Sequence, residues 1–132
     1  MENKKTILFF EDEERLQKII AAALESAGYN VLNASDGELG IKILGEESPD
    51  LILLDLILPK KDGFEVLEYL KTDKKLQKIP VVVSTNLEDK HDIERAMSYG
   101  VRAYLVKANY RPEEIVEKIR EILEEKTKNN EN

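Results

Sequence analysis

The chain has no cysteine. That absence excludes disulfides, thiolate metal sites and a cysteine nucleophile. It also suits a reducing compartment, so the cytoplasm is the expected location. Long apolar runs are missing too. No stretch approaches the ~20 residues that span a bilayer, and no membrane partner is expected. Residues 1–5, Met-Glu-Asn-Lys-Lys, lead straight into a strand-like run and do not read as a signal peptide. Positive charge is in deficit, with 20 Lys and Arg against 27 Asp and Glu and a formal net charge of −7. Lysines gather only in pairs such as Lys60-Lys61 and Lys74-Lys75. Phosphate backbones demand a concentrated basic surface, so direct nucleic-acid binding is not expected. The one histidine, His91, opens a helix with no metal-ligand spacing around it and reads as an exposed residue. No glycine-rich loop follows the first strand, which removes the usual nucleotide cradle.

What is present is regular alternation. The 132 residues, 42% of them hydrophobic, fit one domain with one core. Strands are predicted at 5–10, 29–32, 51–54, 79–83 and 103–106. Between them, apolar residues recur at the three-and-four spacing of a helix face. Leu16, Ile19, Ile20, Ala23, Leu24 and Ala27 mark the first helix, closed by a left-handed cap at Gly28. A weaker helix follows Ser35-Asp36-Gly37 through Leu44. Others run through Phe64–Leu70, through Ile93–Gly100, and from Pro112 through Leu123. Residues 1–125 are expected to form the single domain, and 126–132 a disordered polar tail. Strands alternating with helices imply right-handed crossovers and a parallel sheet covered on both faces. In such a sheet the site lies beyond the carboxyl ends of the strands, where strand order reverses.

Every conspicuous polar residue falls at such an end. Glu11-Asp12 follows the first strand, Asp55 the third, Ser84-Thr85 the fourth and Lys107 the fifth. Acids gathered in one crevice repel each other, and a divalent cation offsets that. Mg²⁺, or Mn²⁺ in its place, suits hard oxygen ligands. Asp12 and Asp55 are the expected direct ligands, Glu11 acts through water or directly, and the backbone carbonyl of Ile57 completes the protein's share. Thr85 can donate a hydrogen bond, and Lys107 supplies a point charge. With the cation they would stabilise an anion of several oxygens, such as a phosphoryl group. Asp55 then becomes a candidate nucleophile forming an acyl phosphate. Each residue has a plainer structural reading. Asp55 could be a loop acid, Glu11-Asp12 a helix cap, Thr85 a strand-end hydroxyl, Lys107 a solvated lysine and Tyr104 a half-buried sheet residue.

In order and spacing these motifs are highly specific. They are the pair Glu11-Asp12, the stretch from Asp55 through Pro59 to Asp62-Gly63, the segment Ile79 to Thr85, and the run Gly100 to Lys107. They resemble the response-regulator receiver domain of two-component signalling, in its stand-alone, chemotaxis-regulator-like form, from Ile7 to about Leu123. The resemblance implies a flavodoxin-like, doubly wound five-stranded sheet in order 2-1-3-4-5 with five helices. It implies Mg²⁺-dependent transfer of a phosphoryl group to Asp55 from a sensor histidine kinase or a histidine phosphotransfer protein. It also implies that Thr85 and Tyr104 move on phosphorylation, altering the surface offered to a downstream protein target. The protein would be no enzyme beyond its own phosphorylation and dephosphorylation, a phosphoprotein of a phosphorelay. Ile57 and Leu87 occupy the positions that flank the path of attacking water, and both being apolar predicts a long-lived phosphate. Two positions depart from the family pattern. Asn86 stands where Ala or Gly is usual, and Ala108 stands where a cis proline usually follows the lysine. The Lys107–Ala108 bond is therefore either trans or strained. The departures keep a phosphorylation-independent interaction domain as an alternative. An Mg²⁺-dependent phosphatase is weaker, because it wants an acid two residues past the nucleophile and position 57 is Ile.

Overall fold

A computed structural model describes residues 3–130 of the chain, with side chains described to residue 125. Five parallel strands form one sheet: β1 (Thr6–Phe10), β2 (Asn30–Ala34), β3 (Leu51–Leu54), β4 (Val81–Thr85) and β5 (Ala103–Val106). Their spatial order is β2-β1-β3-β4-β5, the doubly wound order the resemblance implied. The helices are α1 (Glu14–Ser26), α2 (Gly37–Leu44), α3 (Gly63–Lys71), α4 (Lys90–Ser98) and α5 (Pro112–Asn130). Short 3₁₀ turns at Leu76–Lys78 and Lys107–Asn109 precede β4 and α5.

The two-residue period of each strand sends its side chains to two separate cores. Ile7, Phe9, Leu51, Leu53, Val82 and Leu105 pack with Ile20 and Leu24 of α1 and Ile115, Ile119 and Leu123 of α5. Leu8, Phe10, Ile52, Leu54, Val81 and Val83 pack on the other face with Leu44 of α2, Phe64, Val66 and Leu70 of α3, and Ala96 of α4. A fully buried Leu or Ile is worth about 1.5–3 kcal/mol. The near-continuous apolar runs of β1, β3 and β4 are therefore what make the sheet the spine of the fold. Helix α4 stands apart, because Ala96 is its one buried residue. Arg95 adds a second attachment, its guanidinium 4.1 Å from the Phe64 ring centroid.

The helix ends follow from local chemistry. Gly28, at φ 98, closes α1 in the left-handed region as expected, and Gly100, at φ 81, follows α4. Asp36 caps α2 by accepting from the Leu39 N–H at 2.7 Å. Asp62 and Glu65 form a reciprocal capping box at the start of α3.

Three boundaries differ from the sequence reading. Strand β4 begins at Val81 rather than Ile79 and runs through Ser84 and Thr85. Pro80 offers no donor, and its carbonyl accepts the Ile52 N–H at 3.0 Å, so regular pairing starts one residue later. At the far end, pairing of Thr85 with Val106 keeps the strand extended. Strand β2 is shifted towards Ala34, whose carbonyl accepts the Glu11 N–H at 2.9 Å. Where a polar tail was expected from 126, α5 continues to Asn130. No Gly or Pro follows Pro112 to stop it, and Lys and Glu favour helix. The end of that expected tail, 131–132, lies outside the described residues. Among the described residues no helix is long and apolar enough to cross a membrane.

Candidate functional site: an acidic cleft at the carboxyl ends of the strands

Glu11 and Asp55 leave adjacent strands at the same level. Phe10 pairs with Leu54, so the next residue of each strand emerges at the same edge of the sheet. Asp12, Thr85 and Lys107 come to that edge from β1, β4 and β5. One carboxylate oxygen from each of Glu11, Asp12 and Asp55 lies within 4.8 Å of the others. Glu11 is 2% exposed, Asp55 4% and Thr85 0%, whereas Asp12 faces solvent.

Lys107 ties the two buried acids together. Its Nζ donates to Glu11 Oε1 at 2.6 Å and to Asp55 Oδ2 at 2.6 Å. The remaining oxygens are engaged as well. Glu11 Oε2 accepts the Glu13 N–H at 3.1 Å, and Asp55 Oδ1 accepts the Ile57 N–H at 3.0 Å. Burial pushes the Glu11 carboxyl above its usual pKa, outweighing the opposing hydrogen bonds from Lys107 and the Glu13 N–H. For Lys107, burial pulls the pKa down, but the hydrogen bonds and charges of Asp55 and Glu11 carry it above its ordinary value. The ammonium therefore stays charged at neutral pH.

Three carboxylates against one ammonium leave an excess of negative charge in a cleft of hard oxygen donors. That donor set fits a divalent cation such as Mg²⁺ or Mn²⁺. Asp12 is the acid with the freest access to solvent, and Asp55 and Glu11 are already fixed in orientation.

Thr85 and Tyr104 meet through one backbone unit. The Leu87 N–H donates to Thr85 Oγ1 at 3.5 Å, a long bond. The Leu87 carbonyl accepts the Tyr104 hydroxyl at 2.8 Å. Burial raises the Tyr104 pKa, and the charges of Asp92 and Asp55 add to the effect. Ile57 is 52% exposed at the mouth of the cleft, Leu87 is half-buried, and Asn86 faces solvent. Among the described residues every peptide bond is trans, so Lys107 reaches both acids without a cis bond to Ala108.

Sequence reasoning missed two supports. Gln17 Nε2 donates to the Glu11 carbonyl at 3.1 Å, fixing the acidic turn to α1. An amide one turn into a helix that begins at the strand end was the available signal. Gly37 is the second, pressed against the backbone of Lys61.

A family model described as the response regulator receiver domain matches residues 7–120. The chain is 37% identical over 121 residues to the alkaline phosphatase synthesis transcriptional regulatory protein PhoP of Bacillus subtilis, covering 92% of this chain and 49% of that protein. It thus spans about half the length of the curated relatives it matches first. Among solved structures, a CheY-like response regulator receiver domain protein of Methanospirillum hungatei superposes with a TM-score of 0.87 at 28% identity, covering 96% of this chain and 99% of that one. A phosphorylated cyanobacterial phytochrome response regulator, RcpA, superposes with a TM-score of 0.78 at 33% identity, covering 91% of each chain.

Proposed function

The chain belongs to the response regulator receiver domain family, and on that premise we propose that it accepts a phosphoryl group on Asp55 and passes the change to a protein target. The observation that carries this reading is the buried Asp55, held by Lys107 beside Glu11 and Asp12 at the strand ends. The donor is a phosphohistidine of a sensor histidine kinase or of a histidine phosphotransfer protein. An Asp55 oxygen attacks phosphorus, the bond from phosphorus to the histidine nitrogen breaks, and the released imidazole takes up a proton. The chemistry is chiefly positioning and charge compensation. Asp12, Asp55 and the Ile57 carbonyl, with Glu11 through water, would hold Mg²⁺, which supplies positive charge to the transferring oxygens. Mn²⁺ would fit the same donors. Lys107 keeps its charge and moves from bridging two carboxylates to facing the added oxygens. Thr85 donates its hydroxyl to the same group.

Output follows the path from Thr85 through Leu87 to Tyr104. Phosphorylation replaces the single charge of the Asp55 carboxylate with the roughly −1.5 to −2 of an acyl phosphate, and it brings three acceptor oxygens. Drawing Thr85 towards them disturbs the Leu87 unit that holds the Tyr104 hydroxyl. The surface of α4, β5 and α5 then changes for a partner, with the cytoplasm as the place of action. A few kcal/mol of differential contact suffices.

The test is intact mass after incubation with acetyl phosphate and Mg²⁺. The wild type should gain one phosphoryl group, and Asp55→Asn should gain none. An unmodified wild type would leave a phosphorylation-independent interaction domain as the better reading.

A further inference from the structure

The loop leaving Asp55 contains the one positive-φ residue other than glycine among the described residues, Lys60 at φ 67. A residue with a Cβ adopts that conformation only when its surroundings over-determine it. The surroundings are the first residues of α2. The Gly37 N–H donates to the Pro59 carbonyl at 3.4 Å. A Cβ on Gly37 would stand 1.9 Å from the Lys61 carbonyl oxygen and 2.7 Å from its carbon. Lys60 Nζ lies 3.8 Å from Asp36 Oδ2. At the loop's other end the Gly63 N–H donates to the Leu56 carbonyl at 3.0 Å. A Cβ on Gly63 would stand 2.6 Å from the Asp55 carbonyl oxygen. Between these two clamps the Ile57 N–H donates to Asp55 Oδ1 at 3.0 Å.

We infer that Asp36 and Gly37 are positioning residues for the phosphoacceptor. They hold Pro59–Lys61 in its strained course so that the Ile57 amide fixes the carboxylate of Asp55. The inference rests on the proposed reading of Asp55 and assigns α2, which carries none of the site's acids, a part in it. Added bulk at position 37 meets backbone, which cannot rotate away, so the loop must retreat by on the order of 1 Å. A misplacement of that size costs up to roughly a hundredfold in a positioned reaction.

The experiment compares Gly37→Ala with Gly40→Ala in the full chain. Both lie on α2, but a Cβ on Gly40 would strike the Phe10 ring at 1.8 Å, in the core rather than the loop. Three quantities are read: thermal stability, Mn²⁺ affinity by electron paramagnetic resonance, and the rate of acetyl phosphate labelling. Hydrogen exchange at the Ile57 amide supplies a local readout. Gly37→Ala should lose at least about tenfold in labelling rate, weaken Mn²⁺ binding and expose the Ile57 amide. Gly40→Ala should lose stability while keeping wild-type labelling and an intact Ile57 bond. If Gly37→Ala does not fold, Asp36→Ala, which adds no atoms, should show the same signature more weakly. Wild-type labelling with native Ile57 protection in Gly37→Ala, or in Asp36→Ala should that replacement be needed, overturns the inference. So does a Gly40→Ala variant that loses labelling and Ile57 protection equally. A wild type that neither binds Mn²⁺ nor is labelled overturns the reading beneath it instead.

Discussion

Replacing Lys107 with Met keeps an unbranched stem, one atom shorter, and removes its charge. In the wild type the ammonium sits 2.6 Å from one oxygen of Glu11 and 2.6 Å from one of Asp55. The side chains of those acids are 2% and 6% exposed, and that of Lys107 is 16% exposed. Removing one partner of a buried ion pair costs about 3–5 kcal/mol, because the charge left behind has lost its compensation. The partial exposure of Lys107 argues for the lower end, about 3 kcal/mol, a large share of the ~5–15 kcal/mol that holds a domain together. For a chain of this size that is a fall of roughly 10 °C in Tm. The effect must depend on pH with a definite sign. Glu11 has its folded pKa raised by burial. A raised carboxyl contributes stability that is present below its unfolded value and is lost as pH rises through its folded value. Without Lys107 that rise is larger, so the penalty should be greatest near pH 7 and narrow towards about pH 4–5. Lys107 itself has its pKa raised above the ordinary 10.5 of a lysine, so in the wild type its contribution is fully present at neutral pH and is lost only as pH rises through that higher folded value. A divalent cation should recover part of the loss, about 1.4 kcal/mol at tenfold excess over its Kd. Urea unfolding followed by circular dichroism, with and without Mg²⁺ across that pH range, measures all three. A variant within ~0.5 kcal/mol of wild type at pH 7, with no narrowing in acid, would refute the charge-compensation reasoning.

Exchanging both Ile57 and Leu87 for polar residues, Ile57→Asn with Leu87→Glu, should shorten the life of phosphorylated Asp55. Timed intact mass checks it, and unchanged or slower decay counts against water exclusion by those side chains. Lys60→Gly relieves the φ of 67. It should raise stability by up to ~1 kcal/mol, visible as a few degrees of Tm, whereas a fall of similar size would mean that the lysine's contacts outweigh its strain. Tyr29 has its pKa raised from 10.0, first by burial, with the charges of Glu124 and Glu117 adding and Arg120 opposing. Its contribution is therefore present below the unfolded value and lost as pH rises through the folded one. Tyr29→Phe should flatten the alkaline fall of Tm above about pH 10, and an identical profile would exclude Tyr29 as a source of that fall.

The fold was legible because its strands are short, apolar and separated by helices of clear period. Ile7-Leu8-Phe9-Phe10 and Leu51-Ile52-Leu53-Leu54 are buried on both faces, and a sequence so apolar has few other places to go. The site was legible for the opposite reason. Glu11 and Asp55 are acids at the ends of those runs, and burying them is costly without a partner. What composition and period do not encode is contact between segments distant along the chain. The start of β4 depended on the Pro80 carbonyl accepting the Ile52 N–H, and the tight seat of Gly37 on Lys61 depends on the path of another loop. Nor does the residue type of Leu87 reveal that its N–H and carbonyl connect the Thr85 and Tyr104 hydroxyls, since Leu87 contributes only backbone atoms.

Lys107 resolves a conflict inherent in such a site. Acids close enough to share a cation repel one another when it is absent, so a domain that needs the cation for chemistry would lose stability without it. Bridging Glu11 and Asp55 offsets part of that repulsion within the fold, while the third acid, Asp12, faces solvent. On the proposed reading, a divalent cation brings two positive charges, and phosphorylation of a carboxylate adds about one net negative charge. With the cation bound, the three carboxylates and one ammonium are close to balanced before transfer and about one charge negative after it, so gross electrostatics hold neither state strongly. The free energy that separates them falls instead to local geometry. On the same reading, the long Leu87–Thr85 bond at 3.5 Å, beside the short Tyr104–Leu87 bond at 2.8 Å, would be the weak link through which that geometry gives way.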